Sequence, residues 1–189
     1  MNNWISNQIE KASWLRFLAS FVALFAYSYW AFVLPGPWSR ALEAAGNLPE
    51  MVPGFPEGLA VSTYGKLEAA GLISQYVQFQ LIDIPYAILN FLMLTAVIAL
   101  ALKRFKLSAS PLRFALLLPA TYLAAEFLEN PLLVILARGG GEPTALIPIQ
   151  QAMTSLKWIA SAPALALAAI SLIALVIAAL IGLIRKKPA

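Results

Sequence analysis

The stretch FALLLPATYLAAEFLENPLLVILA, Phe114 to Ala137, decides the fold. A helix crossing a hydrocarbon layer of about 30 Å needs roughly 20 mostly apolar residues, and this segment has that length. Two carboxylates and an amide, Glu126, Glu129 and Asn130, interrupt it. They stand at i, i+3 and i+4, so one helix face carries all three. A charge at the bilayer centre costs about 2.5–3.5 kcal/mol even on a lenient insertion scale. The segment therefore reads as a membrane helix that turns its acidic face toward protein and its apolar face toward lipid.

Three more segments meet the same length criterion: Leu15–Leu34, Leu81–Leu102 and Ile159–Ile184. The whole chain agrees, with 61% hydrophobic and 12% charged residues, against about 45–50% and about 25% in soluble domains. The expectation is an all-α protein of one transmembrane domain, residues 1–189, folded as a four-helix bundle. The first span follows a polar segment and lacks a small-x-small cleavage site, so it reads as a retained anchor. Cysteine and histidine are absent, which removes thiolate and imidazole metal sites, disulfides and the Ser-His-Asp triad. No metal and no cofactor are expected.

Nine of the 13 Lys and Arg residues mark one side. Lys103, Arg104, Lys106 and Arg113 fill the second connection, Arg185, Lys186 and Lys187 close the chain, and Lys11 and Arg16 flank the first span. By the positive-inside rule that side is cytoplasmic, giving N-in, C-in topology in a cell (inner) membrane. Topology accounts for the basic excess, so nucleic acid is rejected as a partner and the bilayer is the partner expected. Met1 to Ser13 places Trp4, Ile5, Ile9 and Ala12 on one face, the pattern of an amphipathic helix lying on the inner surface. Tyr27, Tyr29, Trp30, Trp38 and Trp158 read as an outer aromatic belt.

Residues 35–80 are too many for a simple turn and read as a helical outer cap. SRALEAAGN predicts a short helix with Ser39 as N-cap and Gly46 as stop. GKLEAAG repeats its core, an echo that common helix-forming residues can produce by chance. Between them NLPEMVPGFPEG, residues 47–58, predicts an irregular crossover on the membrane surface, and GGGEP, Gly139–Pro143, a flexible turn.

Polar residues recur at helical spacing on the other spans. Asp83, Tyr86 and Asn90 share a face of the second; Gln150, Thr154, Lys157 and Ser161 share one leading into the fourth. At about 1.5 Å per residue, Glu126 and Asn90 fall near the midplane, Glu129 about 5 Å and Asp83 roughly 12 Å outward, with Lys157 near the outer interface. This describes a polar descent from the outer surface, not a compact cluster, and leaves the partner of Lys157 open. Three carboxylates face one ammonium, so Glu126, the deepest, is the candidate for an acid that keeps its proton. Pro85, Pro131 and Pro163 adjoin these groups, each freeing the carbonyl four residues earlier.

EFLEN, Glu126–Asn130, together with TSLKW, Thr154–Trp158, resembles a pattern in small four-span bacterial membrane proteins of no assigned activity. The likeness covers the last three spans. It implies that Glu126, Glu129, Asn130, Thr154 and Lys157 belong together, and no activity. Several readings stay open. The polar residues could form a site open toward the outer leaflet, built from Asp83, Tyr86, Asn90, Glu126, Glu129, Asn130, Thr154 and Lys157 and taking a small amphipathic or lipid-like ligand. They could bond helix to helix as structural glue. The chain could be a non-catalytic accessory subunit of a larger membrane complex, or an acid–base enzyme.

Overall fold

A computed structural model describes residues 2–140 and 145–185. Among them the regular elements are all helical. In order they are α1 (Asn2–Glu10), α2 (Trp14–Ser28) with a π-helical end (Tyr29–Val33), α3 (Ser39–Ala45), a 3-10 turn (Pro49–Met51) and α4 (Glu57–Ala69). Then come α5 (Ile73–Arg104), a second 3-10 segment (Pro111–Leu116), α6 (Leu117–Arg138) and α7 (Leu146–Arg185). Glu142, Lys186 and Lys187 lie outside the described residues, and of the Gly139–Pro143 turn only Gly139 and Gly140 are described.

Four segments are long and apolar enough to cross a membrane: Trp14–Val33, Ile73–Arg104, Pro111–Arg138 and Leu146–Gly182. This is a multi-pass membrane protein. The two middle spans are the more enclosed, whereas α2 and α7 turn large apolar side chains outward, among them Leu15, Val22, Phe25, Ile159 and Ile170. In water such faces would be a liability; in lipid they meet their own solvent. The last helix begins at Leu146, well before the expected Ile159. Gln150, Thr154 and Lys157 are thus inside α7, not in a lead-in segment, because a helix needs no apolar residues where it emerges from the bilayer.

Helix α5 is the hub, contacting α1, α2, α3, α4, α6 and α7. Two apolar cores form along it. One, at the end bearing Lys103 and Arg104, gathers Ile5, Ile9, Phe17, Leu94, Ile98 and Leu116. The other gathers Phe55, Tyr64, Leu67, Tyr76, Leu133 and Leu136. Between them only a small cluster of Ala87, Tyr122 and Ala160 is fully packed, and this middle layer is where polar groups collect.

The amphipathic face of α1 meets protein, not the membrane surface. Ile5, Ile9 and Ala12 are buried, and the Trp4 ring stacks on Phe91 of α5 at 6.5 Å. Lys103 Nζ fixes the arrangement by donating to the carbonyls of Glu10 at 2.6 Å and Ala12 at 3.0 Å. It thereby satisfies carbonyls that the end of α1 leaves without helical partners. Lys103→Ala should cost about 1–2 kcal/mol and loosen α1 alone. Faster amide hydrogen exchange at residues 2–10, with α5 and α6 unchanged, is the expected readout; unchanged α1 protection would contradict the clip.

The connection between the first two spans departs from expectation in two places. Ser39 is the first residue of α3, not its cap. Trp38 occupies the cap position, and Ser39 Oγ instead accepts from Gly36 N–H at 2.8 Å. Trp38 is buried, not part of a belt; its Nε1 donates to the Ala31 carbonyl at 2.9 Å. Gly36 is required here, because a Cβ would sit 2.5 Å from the Trp38 ring. Gly46 does stop α3, with φ 67.

The crossover is irregular and mostly exposed, as expected, but it sends individual side chains inward. Glu50 and Phe55 are buried in it. Phe55 takes an uncommon φ of 46, directly after Gly54 at φ 82. A bulky residue rarely adopts that backbone region. Its fully buried ring and the bond from Gln151 Nε2 to its carbonyl at 3.4 Å hold it there.

Candidate functional site

Glu126, Glu129, Gln150, Thr154 and Lys157 of the last two spans meet in one network. Lys157 of α7 reaches α6, with Nζ 2.5 Å from Glu129 Oε2 and 3.9 Å from Glu126 Oε1. Its open partner is therefore Glu129. The other Glu129 oxygen accepts from Thr154 Oγ1 at 2.5 Å and from Gln150 Nε2 at 3.1 Å. Gln150, Thr154 and Lys157 are at i, i+4 and i+7, which is why one face of α7 supplies all three donors. Glu129 is fully buried with both oxygens engaged. Sequence spacing made these depths differ because it counts along each helix, whereas a long lysine stem can span the offset.

One residue on, Asn130 Nδ2 donates across to Asp83 Oδ2 of α5 at 3.4 Å. Tyr86 and Asn90 do not join. Asn90 Nδ2 turns back to the Tyr86 carbonyl at 3.3 Å, and the Tyr86 ring packs edge-on against Phe32 at 4.9 Å.

A cavity of about 360 Å³ opens beside this network. Its polar wall includes Asp83, Tyr86, Asn90, Glu126, Asn130 and Lys157, six of the eight residues singled out from sequence. Glu129 and Thr154 stand behind that wall and hold Lys157. Apolar walls come from Phe32, Leu48, Phe79, Leu94 and Leu165. The division is chemically informative. Glu129 is saturated, while Glu126 Oε2 is buried without a hydrogen-bond partner. An acceptor in that state is costly and is retained where something else can fill it.

Sequence reasoning missed the other side of the cavity. Glu50, from the crossover, lines it and is 4% exposed. Its Oε1 accepts from Tyr76 Oη and Gln80 Nε2 of α5, both at 2.8 Å, and Tyr76 Oη lies 3.3 Å from Tyr64 Oη of α4. Its Oε2, like that of Glu126, has no partner. Burial pushes the Glu50 carboxyl above the usual carboxylate range, against the pull of these two donors and of Lys157. A lone carboxylate between apolar neighbours in LPEMVP, and donors at Tyr76 and Gln80 with helical i, i+4 spacing, are the signals that could have found it.

Trp158, read from sequence as part of an aromatic belt, also belongs to the cavity. It lines the wall, and its Nε1 is buried with no acceptor. Tyr27 Oη donates to the Ile82 carbonyl at 2.7 Å, one residue beyond the carbonyl that Pro85 deprives of its amide. Pro85, Pro131 and Pro163 each sit within a helix that continues past them.

The arrangement can hold a polar group against carboxylates while an apolar part contacts leucine and phenylalanine. Four acids, Glu50, Asp83, Glu126 and Glu129, surround a single ammonium. Comparison of the chain with protein-family models, curated proteins and solved structures finds no match to any of the three.

Proposed function

We propose that this protein is a four-helix bundle of the cell (inner) membrane, with both termini cytoplasmic, whose acidic cavity binds a small amphipathic or lipid-like ligand entering from the outer leaflet. The buried, unpartnered Oε2 of Glu126 in the wall of a mostly apolar cavity carries this reading. Asp83, Tyr86, Asn90, Glu126, Asn130 and Lys157 contact the ligand, and Glu129 and Thr154 position Lys157. The orientation rests on the cationic ends, Lys103 to Arg113 on one side of the spans and the acid-bearing cap on the other.

Purification in mild detergent, followed by mass spectrometry of what accompanies the protein, tests the proposal. A defined small amphiphile should co-purify. Glu126→Gln or Asp83→Asn should weaken its retention about tenfold or more, the worth of one contact to a charged group, while thermal unfolding stays within a few degrees of wild type. Unchanged retention in both variants would sink the site. A stoichiometric protein partner in place of a ligand would support the accessory-subunit reading instead.

A further inference from the structure

The unfilled hydrogen-bonding capacity of the cavity is one-sided. Glu50 Oε2 and Glu126 Oε2 are both buried acceptors with no donor, on residues 4% and 5% exposed that line the same cavity from the crossover and from α6. Asp83 adds a third carboxylate to the wall. The one cation present, Lys157, is engaged 2.5 Å from Glu129, an acid outside the wall. A ligand that supplied only acceptors would leave both oxygens orphaned and add to the negative charge.

Aromatic groups complete the wall. Tyr86, Tyr122 and Trp158 line it, and ring faces attract cations. Among the described residues no group of three or more acids is placed to hold a metal ion. A cation that brings its own N–H donors would fill the two unpartnered oxygens, and an organic body would fit beside Phe32, Leu94 and Leu165.

Resting on the amphiphile-binding reading above, we infer that the ligand class is a protonated primary or secondary alkylamine, its ammonium set against the acidic wall to which Glu50, Asp83 and Glu126 contribute and its hydrocarbon part against the apolar wall. N–H donors distinguish it from a quaternary ammonium, which has charge but nothing to give the two carboxylate oxygens. The indole N–H of Trp158 accommodates an acceptor, such as a hydroxyl, elsewhere on the same molecule.

The test is native mass spectrometry of the full chain released from a nonionic detergent, titrated separately with octylamine, octanol, octanoate and octyltrimethylammonium. Octylamine should bind at one per chain and about tenfold or more tightly than the other three. Glu126→Gln and Glu50→Gln should each reduce octylamine occupancy about tenfold, whereas Glu57→Gln, an exposed acid in the same cap, should not. Thermal unfolding identifies any variant that fails to fold, and Asp83→Asn then takes its place. Octanol or octanoate binding as well as octylamine would overturn the cationic class and leave the cavity reading standing. Octyltrimethylammonium binding equally well would overturn the requirement for N–H donors. Binding of none of the four amphiphiles would overturn both.

Discussion

Lys157→Met should destabilise the folded protein by about 3–5 kcal/mol, the cost of stripping one partner from a buried ion pair. Glu129 is fully buried and would keep only Thr154 and Gln150 as donors. Glu126 would lose its nearest cation as well. Methionine preserves most of the stem's volume, so the loss is electrostatic and not a cavity effect. The decisive comparison is the double variant Lys157→Met with Glu129→Gln, which removes both charges and keeps an amide able to bond Thr154. It should recover at least half of the loss. Thermal or denaturant unfolding in detergent reads both numbers. A double variant no more stable than Lys157→Met alone would mean that the pair contributes only through shape.

Glu50→Ala should cost about 2–4 kcal/mol, because it leaves the buried donors Tyr76 Oη and Gln80 Nε2 without their acceptor. The crossover is attached to α5 through this carboxylate, so the damage should concentrate there. Proteolysis between residues 47 and 56 should accelerate while cleavage elsewhere is unchanged. The same contact responds to pH. The folded-state pKa of Glu50 lies above its unfolded value, so its contribution to stability is fully present below the unfolded value and is lost as pH rises through the folded one. The groups facing it are Tyr64, Tyr76 and Lys157. Cleavage in the crossover should therefore speed up from mildly acidic to alkaline buffer, and Glu50→Gln should flatten the dependence. A wild-type profile no steeper than that of Glu50→Gln would remove the carboxyl from the explanation.

The two variants probe opposite walls of one cavity, and they differ in how visible they were from sequence. Lys157, Glu126 and Glu129 announced themselves because charge inside an apolar run is expensive and must be placed deliberately. Glu50 did not. It sits in a proline- and glycine-rich segment where a carboxylate normally faces water, and only the return of that segment against α5 buries it. Trp38 and Trp158 carry the same lesson. A tryptophan beside a span is ordinarily an interfacial anchor, yet here one caps the π-helical end of α2 and the other lines a cavity.

By itself the sequence determined the helical membrane class, the four long apolar segments and the faces on which Asp83, Glu126, Glu129, Thr154 and Lys157 lie. These follow from segment length and from a period of 3.6, both local properties that no later packing can change. Only the tertiary structure decided which acid Lys157 takes, which carboxylate oxygens stay without donors, that α1 docks on α5 and that Glu50 enters the cavity wall. Those outcomes depend on the relative depth, tilt and rotation of separate helices. Those quantities are set by side-chain packing between segments distant in the chain, and hydropathy along any one of them carries no record of it.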